Sequence, residues 1–256
     1  MSAPRRVVIT GGASGIGFVM AQAFSEVGTR VAVCDVDEAA LSNFRETHPD
    51  GIAAKADVSD PASMEEFLGE VEEEFGGADV VCSNAGTGGP TGPVEEMDLP
   101  DWRACLSTNL DGAFLTSRWA ARVMKAQGSG LLLFTASTAG QYGYPLRAPY
   151  AAAKWGIVGL MKTLAMELGP HGIRVNVISP GSVQGDRMNG VIEKEAVARD
   201  LPVEEVRKSN VKGVSMRTFI DAEDIANAAV FLASPAGARI SGQTLAVDGN
   251  TETLAP

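Results

Sequence analysis

Val7-Val8-Ile9-Thr10-Gly11-Gly12-Ala13-Ser14-Gly15-Ile16-Gly17 decides the fold: a β-branched run stops at a glycine cluster, and an apolar-periodic segment continues toward Gly28. The order predicts a strand, a tight turn and a helix. Glycines in such a turn let the backbone approach a ligand closely, and the unpaired N–H groups of the following helix suit a pyrophosphate. A glycine-rich turn alone has a purely structural alternative, which the strand before it and the helix after it make less favoured.

Outward from this point, short β-branched runs alternate with helix-length segments. Arg30–Cys34, Ala78–Cys82, Leu131–Thr135, Arg174–Ile178 and Thr244–Val247 join Val7–Thr10 as expected strands. That alternation predicts an α/β architecture, a doubly wound parallel sheet flanked by helices, in a single Rossmann domain over residues 1–256. From Met64 to Phe75 the apolar positions Met64, Phe67, Leu68, Val71 and Phe75 share one helical face, and the interleaved glutamates read as a solvated face. Residues 183–212 break the regularity with Gly185, Gly190 and a charged, helix-prone segment, Val191–Lys208. An insertion there is expected to form a substrate lid, with a plain surface excursion as the alternative.

Composition narrows the partners. The chain has 256 residues, with 21 Lys and Arg against 32 Asp and Glu, a formal net charge of −11. Such a balance argues against nucleic acid, whose phosphate backbone needs clustered cations. Three cysteines, Cys34, Cys82 and Cys105, show neither disulfide nor metal-ligand spacing, so reduced thiols, a cytoplasmic location and no metal are expected. Arg5-Arg6 before the uncharged stretch Val7 to Ser25 superficially resembles a signal peptide, but its glycines and hydroxyl residues interrupt any apolar core, and no membrane span is expected. His48 and His171 sit in turn-like contexts and read as surface residues.

Two further motifs bear on chemistry. Asp35 closes Val31-Ala32-Val33-Cys34, where a carboxylate can accept hydrogen bonds from the adenosine ribose hydroxyls and repel a 2′-phosphate. With no Lys or Arg in the glycine loop or just after Asp35, NAD is expected over NADP; the alternative is that Asp35 or Asp37 caps the next helix. Tyr150-Ala151-Ala152-Ala153-Lys154 puts a phenol and an ammonium on one helix face. A free tyrosine titrates near pH 10, and a neighbouring cation favours the phenolate, which suits a general base. Such a pair is common by chance, and its meaning depends on what accompanies it.

The glycine loop, Asp57-Val58, Asn84-Ala85-Gly86, Asn109, Ser137, Tyr150 with Lys154, Pro180-Gly181, Ser241-Gly242-Gln243 and Val247-Asp248-Gly249 together resemble the classical short-chain dehydrogenase/reductase family, from about Arg5 to Gly249. The resemblance implies a catalytic set of Asn109, Ser137, Tyr150 and Lys154. In it Ser137 binds the reacting oxygen, Tyr150 exchanges the proton, Lys154 depresses the tyrosine pKa and holds the nicotinamide ribose, and Asn109 links Lys154 to a water relay. Cofactor binding is implied for Gly11, Ser14, Gly15, Ile16, Gly17, Asp35, Asp57, Val58, Asn84, Ala85, Gly86, Tyr150, Lys154, Pro180, Gly181 and Val183. Two departures stand out: Gly185 replaces a frequent threonine, and Ser83 replaces the first asparagine of the common Asn-Asn-Ala-Gly.

The position three before the tyrosine usually faces substrate in this family, and here it is Arg147. With Arg187 it suggests an anionic or polyhydroxylated substrate, although either arginine can equally pair with an acid such as Asp186 or Glu193. Ser137, Gln141, Tyr144 and Tyr150 complete the expected substrate set, and Met188 is a candidate apolar wall. The expected function is NAD-dependent interconversion of a secondary alcohol and a ketone on a sugar, polyol or hydroxy acid. A 3-oxoacyl thioester reductase, whose usual NADPH conflicts with Asp35, and a non-catalytic dinucleotide sensor are the alternatives. A hydrolase lacks its GxSxG elbow. The resemblance further implies a homotetramer built through Asp111–Gln127, Pro149–Leu168 and the C-terminal segment.

Overall fold

The computed structural model describes residues 6–254; Arg5 of the arginine pair lies outside them. Its strands are β1 (Arg6–Thr10), β2 (Arg30–Asp35), β3 (Ile52–Lys55), β4 (Val80–Ser83), β5 (Gly130–Thr135), β6 (Ile173–Pro180) and β7 (Thr244–Val247). They form one parallel sheet in the order β3-β2-β1-β4-β5-β6-β7. The order reverses between β1 and β4, and the carboxyl ends there open the crevice in which doubly wound folds bind ligands.

Helices α1 (Gly15–Glu26), α2 (Glu38–Thr47), α3 (Pro61–Phe75), α4 (Leu99–Leu106), α5 (Gly112–Gln127), α6 (Ala148–Leu168), α7 (Asp186–Arg199), α8 (Val203–Lys212) and α9 (Ala222–Ala233) follow in chain order. Strand alternation distributes the core between two faces. Val8 packs with Phe67, Trp119 and Met161 of α3, α5 and α6, whereas Val7 and Ile9 pack with Phe24 and Ile225 of α1 and α9. All three strand residues are buried, which is why a near-continuous apolar run signals a strand covered on both sides. The periodic face Met64, Phe67, Leu68, Val71 and Phe75 is the buried face of α3. That helix starts at Asp60, whose carboxylate accepts from the amides of Ala62 and Ser63, and stops at Gly76 in the left-handed region.

Three elements depart from the sequence expectation. β3 was not expected, because Ile52-Ala53-Ala54-Lys55 is short, alanine-rich and an edge strand that pairs only with β2. The charged segment expected as one helix over Val191–Lys208 is two: α7 begins earlier, at Asp186, and Asp200 at φ 50° followed by Leu201-Pro202 breaks the chain before α8. The two helices close on a small core of Ile192, Ala196 and Val206. His48 is half-buried and stacks on Phe44 at 4.2 Å between ring centroids, while His171 is exposed. Among the described residues no helix is long and apolar enough to cross a membrane.

Candidate active site

The ends of β1 and β4 are stitched together where the strand order reverses. Thr10 Oγ1 accepts from the amides of Asn84 and Ala85, both at 3.1 Å, and Asn84 Nδ2 donates to the carbonyls of Thr10 and Gly11 at 3.2 and 3.0 Å. Gly17 is needed for this closeness, since a Cβ there would run into the Gly11 carbonyl. Gly15 has φ +50° and faces open space. Ser14 caps α1 without a side-chain hydrogen bond, so the first-turn amides of that helix remain available to an anion.

Asp35 ends β2 at the loop's edge, its carboxylate accepting from the amides of Val36 at 2.8 Å and Ala13 at 3.3 Å. Asp37 is the residue that caps α2, through Ala39 and Ala40. The helix-capping alternative raised by the sequence therefore falls to Asp37 and not to Asp35.

Past β5, Ser137 caps a short turn, Thr138–Gly140, and its Oγ accepts from the Ala139 amide at 3.2 Å, leaving its proton free to donate elsewhere. Tyr150 and Lys154 lie one turn apart in α6. The Lys154 ammonium is 5.5 Å from the Tyr150 ring centroid and donates to the Thr135 carbonyl at 3.0 Å. Among the described residues no hydrogen bond engages the Tyr150 hydroxyl. Asn109 lies in a π-helical turn, Ser107–Asp111, that joins α4 to α5, a distortion recurrent at functional sites. Its Nδ2 donates to the carbonyls of Cys105 and Thr87, while its buried Oδ1 has no protein partner. Asn109 Oδ1 and Lys154 Nζ both approach one point above Gly86, where a Cβ would lie 2.6 Å from the first and 3.4 Å from the second.

One cavity of about 490 Å³ gathers these groups. Its lining includes every residue expected to hold the cofactor, together with Ser137. Asn109 stands behind the wall.

The enoyl-(acyl carrier protein) reductase family model matches residues 11–250. The chain belongs to the short-chain dehydrogenase/reductase family. It is 34% identical to the 3alpha-hydroxysteroid dehydrogenase of Mediterraneibacter gnavus over 94% of each chain. Among solved structures it superposes on NAD+-bound xylitol dehydrogenase with a TM-score of 0.91 at 29% identity, covering 96% of this chain and 98% of the other. It superposes equally, at 0.91 and 29% over 96% of both chains, on a single-substitution variant of actinorhodin polyketide ketoreductase with NADPH. Members of this family are oxidoreductases that use a nicotinamide cofactor, and the chain is an enzyme acting on an alcohol or a ketone.

The substrate half of this short-chain dehydrogenase/reductase is unusual in its charges. Arg147 lines the cavity but is only 2% exposed. Its guanidinium donates to the Gly88 carbonyl at 2.6 Å and lies 3.9 Å from the Glu195 carboxylate. It also stacks between the rings of Tyr144 and Tyr150, at 5.3 and 5.1 Å. The Tyr144 hydroxyl donates to the same Glu195 oxygen at 2.7 Å, and burial, with Glu195 next, pushes its pKa upward. Glu195 was missed: Asp186 and Glu193 were the acids expected to pair with an arginine, and nothing in the sequence marks which acid of α7 faces inward. Arg187 and Met188 line the cavity. Gln141 does not: it closes the turn after Ser137, its amide bonded to the Thr138 carbonyl, and the chain regains the cavity wall only at Tyr144.

Burial holds all three thiols in the protonated form. Cys34 and Cys82 are pushed up to about 12 by burial, and Cys105 is also raised by burial. Lys154 moves the other way, from 10.5 to about 7, first because burial disfavours its charge and next because Arg187 repels it. The linkage has a definite sign: between about pH 7 and the ordinary lysine range the unfolded chain binds more protons than the native one, so this group makes stability rise with pH. Without added nucleotide, the denaturation midpoint of the wild type is expected to rise across that window more steeply than that of Lys154→Met. Parallel pH profiles for the two proteins would contradict it.

Proposed function

We propose that the protein is an NAD-dependent oxidoreductase interconverting a secondary alcohol and a ketone on a small polar substrate such as a sugar, polyol or hydroxy acid. The observation that carries this reading is one cavity lined at one end by the glycine loop and Asp35 and at the other by Ser137, Tyr150 and Lys154. When bound, the nicotinamide supplies the hydride acceptor for oxidation and the donor for reduction. The available first-turn amides of α1 and the open side of Gly15 fit its diphosphate, and Gly11, Ile16 and Gly17 complete that end. Asp35 would hold the adenosine ribose, Asp57 and Val58 the adenine, and Asn84, Ala85, Gly86, Pro180, Gly181 and Val183 the nicotinamide half.

Tyr150 takes the substrate hydroxyl proton in oxidation and returns it in reduction. Ser137 donates to the same substrate oxygen, for which its proton is free. Arg147, and Lys154 in its protonated form, put positive charge against the tyrosine ring. The unpartnered Oδ1 of Asn109 accepts from a water shared with Lys154, through which the proton reaches solvent. Assembly is read as a homotetramer through α5 and α6, supported by exposed Phe114, Trp155 and Met166, while Ile157 of α6 is buried against the sheet. Three free thiols, all buried, support a cytoplasmic location.

The test is reduction of NAD⁺ across a panel of sugars, polyols, hydroxy acids and cyclic secondary alcohols, beside NADP⁺. Turnover with NAD⁺ is expected, with NADP⁺ about 100-fold poorer because Asp35 meets the extra phosphate as a like charge. Asp35→Ser narrows that gap. An NADP⁺ preference would refute the role of Asp35, and silence with NADH still bound would favour a sensor.

A further inference from the structure

Although the chain as a whole carries −11, the reacting end of its cavity is cationic. The lining groups there that carry charge are Arg147, Lys154, Arg187 and Asp186. Two of the three cations are committed to the protein. Arg147 is held by Gly88 and Glu195, and Lys154 by the Thr135 carbonyl. Arg187 has no hydrogen bond or ion pair among the described residues, not even with its neighbour Asp186.

It is exposed, and it lines the cavity beside Met188. It lowers the pKa of Lys154 and acts on Cys105 in α4, the thiol that sits against Gly89. Arg187 is also the second residue of α7, whose cap, Gly185, has no side chain to bond the first-turn amides. Arg147 adds a second unmet donor to the same cavity wall, because its buried Nε has no partner. Uncommitted cation, open amides and orphaned donor together suit oxygens that carry negative charge.

We propose that Arg187, on the first turn of α7, binds a carboxylate on the substrate, so that among secondary alcohols the enzyme prefers hydroxy acids. The inference rests on the alcohol-oxidising role of the cavity proposed above and selects one of its substrate classes. A cofactor diphosphate is the other anion that this cavity would hold, but the glycine loop and the amides of α1 already serve it. Arg187 instead acts on Lys154 and Cys105, beside the reacting end.

The experiment compares linear and cyclic hydroxy acids with their methyl esters, in wild type, Arg187→Gln and Arg187→Lys. A charge-assisted contact predicts that wild type favours the acid over its ester by about 10- to 100-fold in kcat/KM, mainly through KM. Arg187→Gln collapses that ratio, and Arg187→Lys restores part of it. NADH affinity, measured by calorimetry on the same proteins, stays within about twofold. A second arm needs no turnover: cyclohexanecarboxylate is expected to bind the wild-type NADH complex more tightly than cyclohexanecarboxamide, and equally weakly in Arg187→Gln. That arm judges the anion site even if the alcohol reading fails. Equal handling of acid and ester by wild type overturns the proposal. So does an Arg187→Gln protein that keeps the discrimination while losing NADH affinity, which would assign Arg187 to the cofactor.

Discussion

Tyr150→Phe is expected to lower kcat/KM for alcohol oxidation by about 10²–10⁴, the usual worth of a positioned acid–base group. NADH binding should change by no more than about twofold. The substitution removes one oxygen and keeps the ring, so the faces presented to Arg147 and Lys154 survive, as does the packing of α6. Neither other tyrosine can stand in. Tyr142 does not line the cavity. Tyr144 does, but its hydroxyl is spent on Glu195, and burial beside that carboxylate raises its pKa and keeps it protonated. Tyr144→Phe is therefore the matched control, losing a structural hydrogen bond to a carboxylate worth about 1.5–3 kcal/mol without losing the proton acceptor. Rates measured with saturating NAD⁺ decide the matter. A Tyr150→Phe enzyme that retains more than about a tenth of wild-type activity would move the proton transfer to another group.

What the sequence made legible has a common physical character. The glycine loop, Asp35 and the Tyr150/Lys154 pair announce themselves because their chemistry is local: a turn that needs glycine, a strand end, an i, i+4 helical spacing; Ser137 and Asn109 were reached only through the family resemblance. The strands of the central sheet were legible for a related reason, since burial on both faces enforces apolar runs. What stayed hidden is set by register between distant segments. Glu195 is one of several acids on a charged helix, and its selection depends on how α7 docks against the loop carrying Tyr144 and Arg147. The role of Thr135 lies in its backbone carbonyl, which receives Lys154 and which no side-chain pattern can signal. The π-helical turn at Asn109 leaves no mark on hydrophobic periodicity, and β3 is too short and too small in its side chains to separate from a loop. Of the two arginines that the sequence nominated for substrate, Arg147 is engaged by protein atoms, whereas Arg187 has no hydrogen bond or ion pair among the described residues.

That engagement makes Arg147 the most costly single residue to remove from this half of the site. Arg147→Met would leave the Glu195 carboxylate, itself buried, with the Tyr144 hydroxyl as its remaining partner. Breaking a buried pair from one side typically costs about 3–5 kcal/mol, because the surviving charge remains desolvated. At about 2–4 °C per kcal/mol for a chain of this size, the expected drop in Tm is roughly 10 °C. The local backbone is built for the arginine: Leu146, just before it, sits at φ 64°, and its carbonyl is tied down by the Gly92 amide at 2.9 Å. A left-handed leucine costs about 1–2 kcal/mol, which the burial of Arg147 among Gly88, Glu195 and two aromatic rings offsets. Neutralising the orphaned acid should return part of the loss, so Arg147→Met with Glu195→Gln is expected to be more stable than Arg147→Met alone by about 1–3 kcal/mol. The double-mutant cycle is read by thermal and urea denaturation of all four proteins. Strict additivity would mean that the 3.9 Å approach of guanidinium to carboxylate carries no coupling.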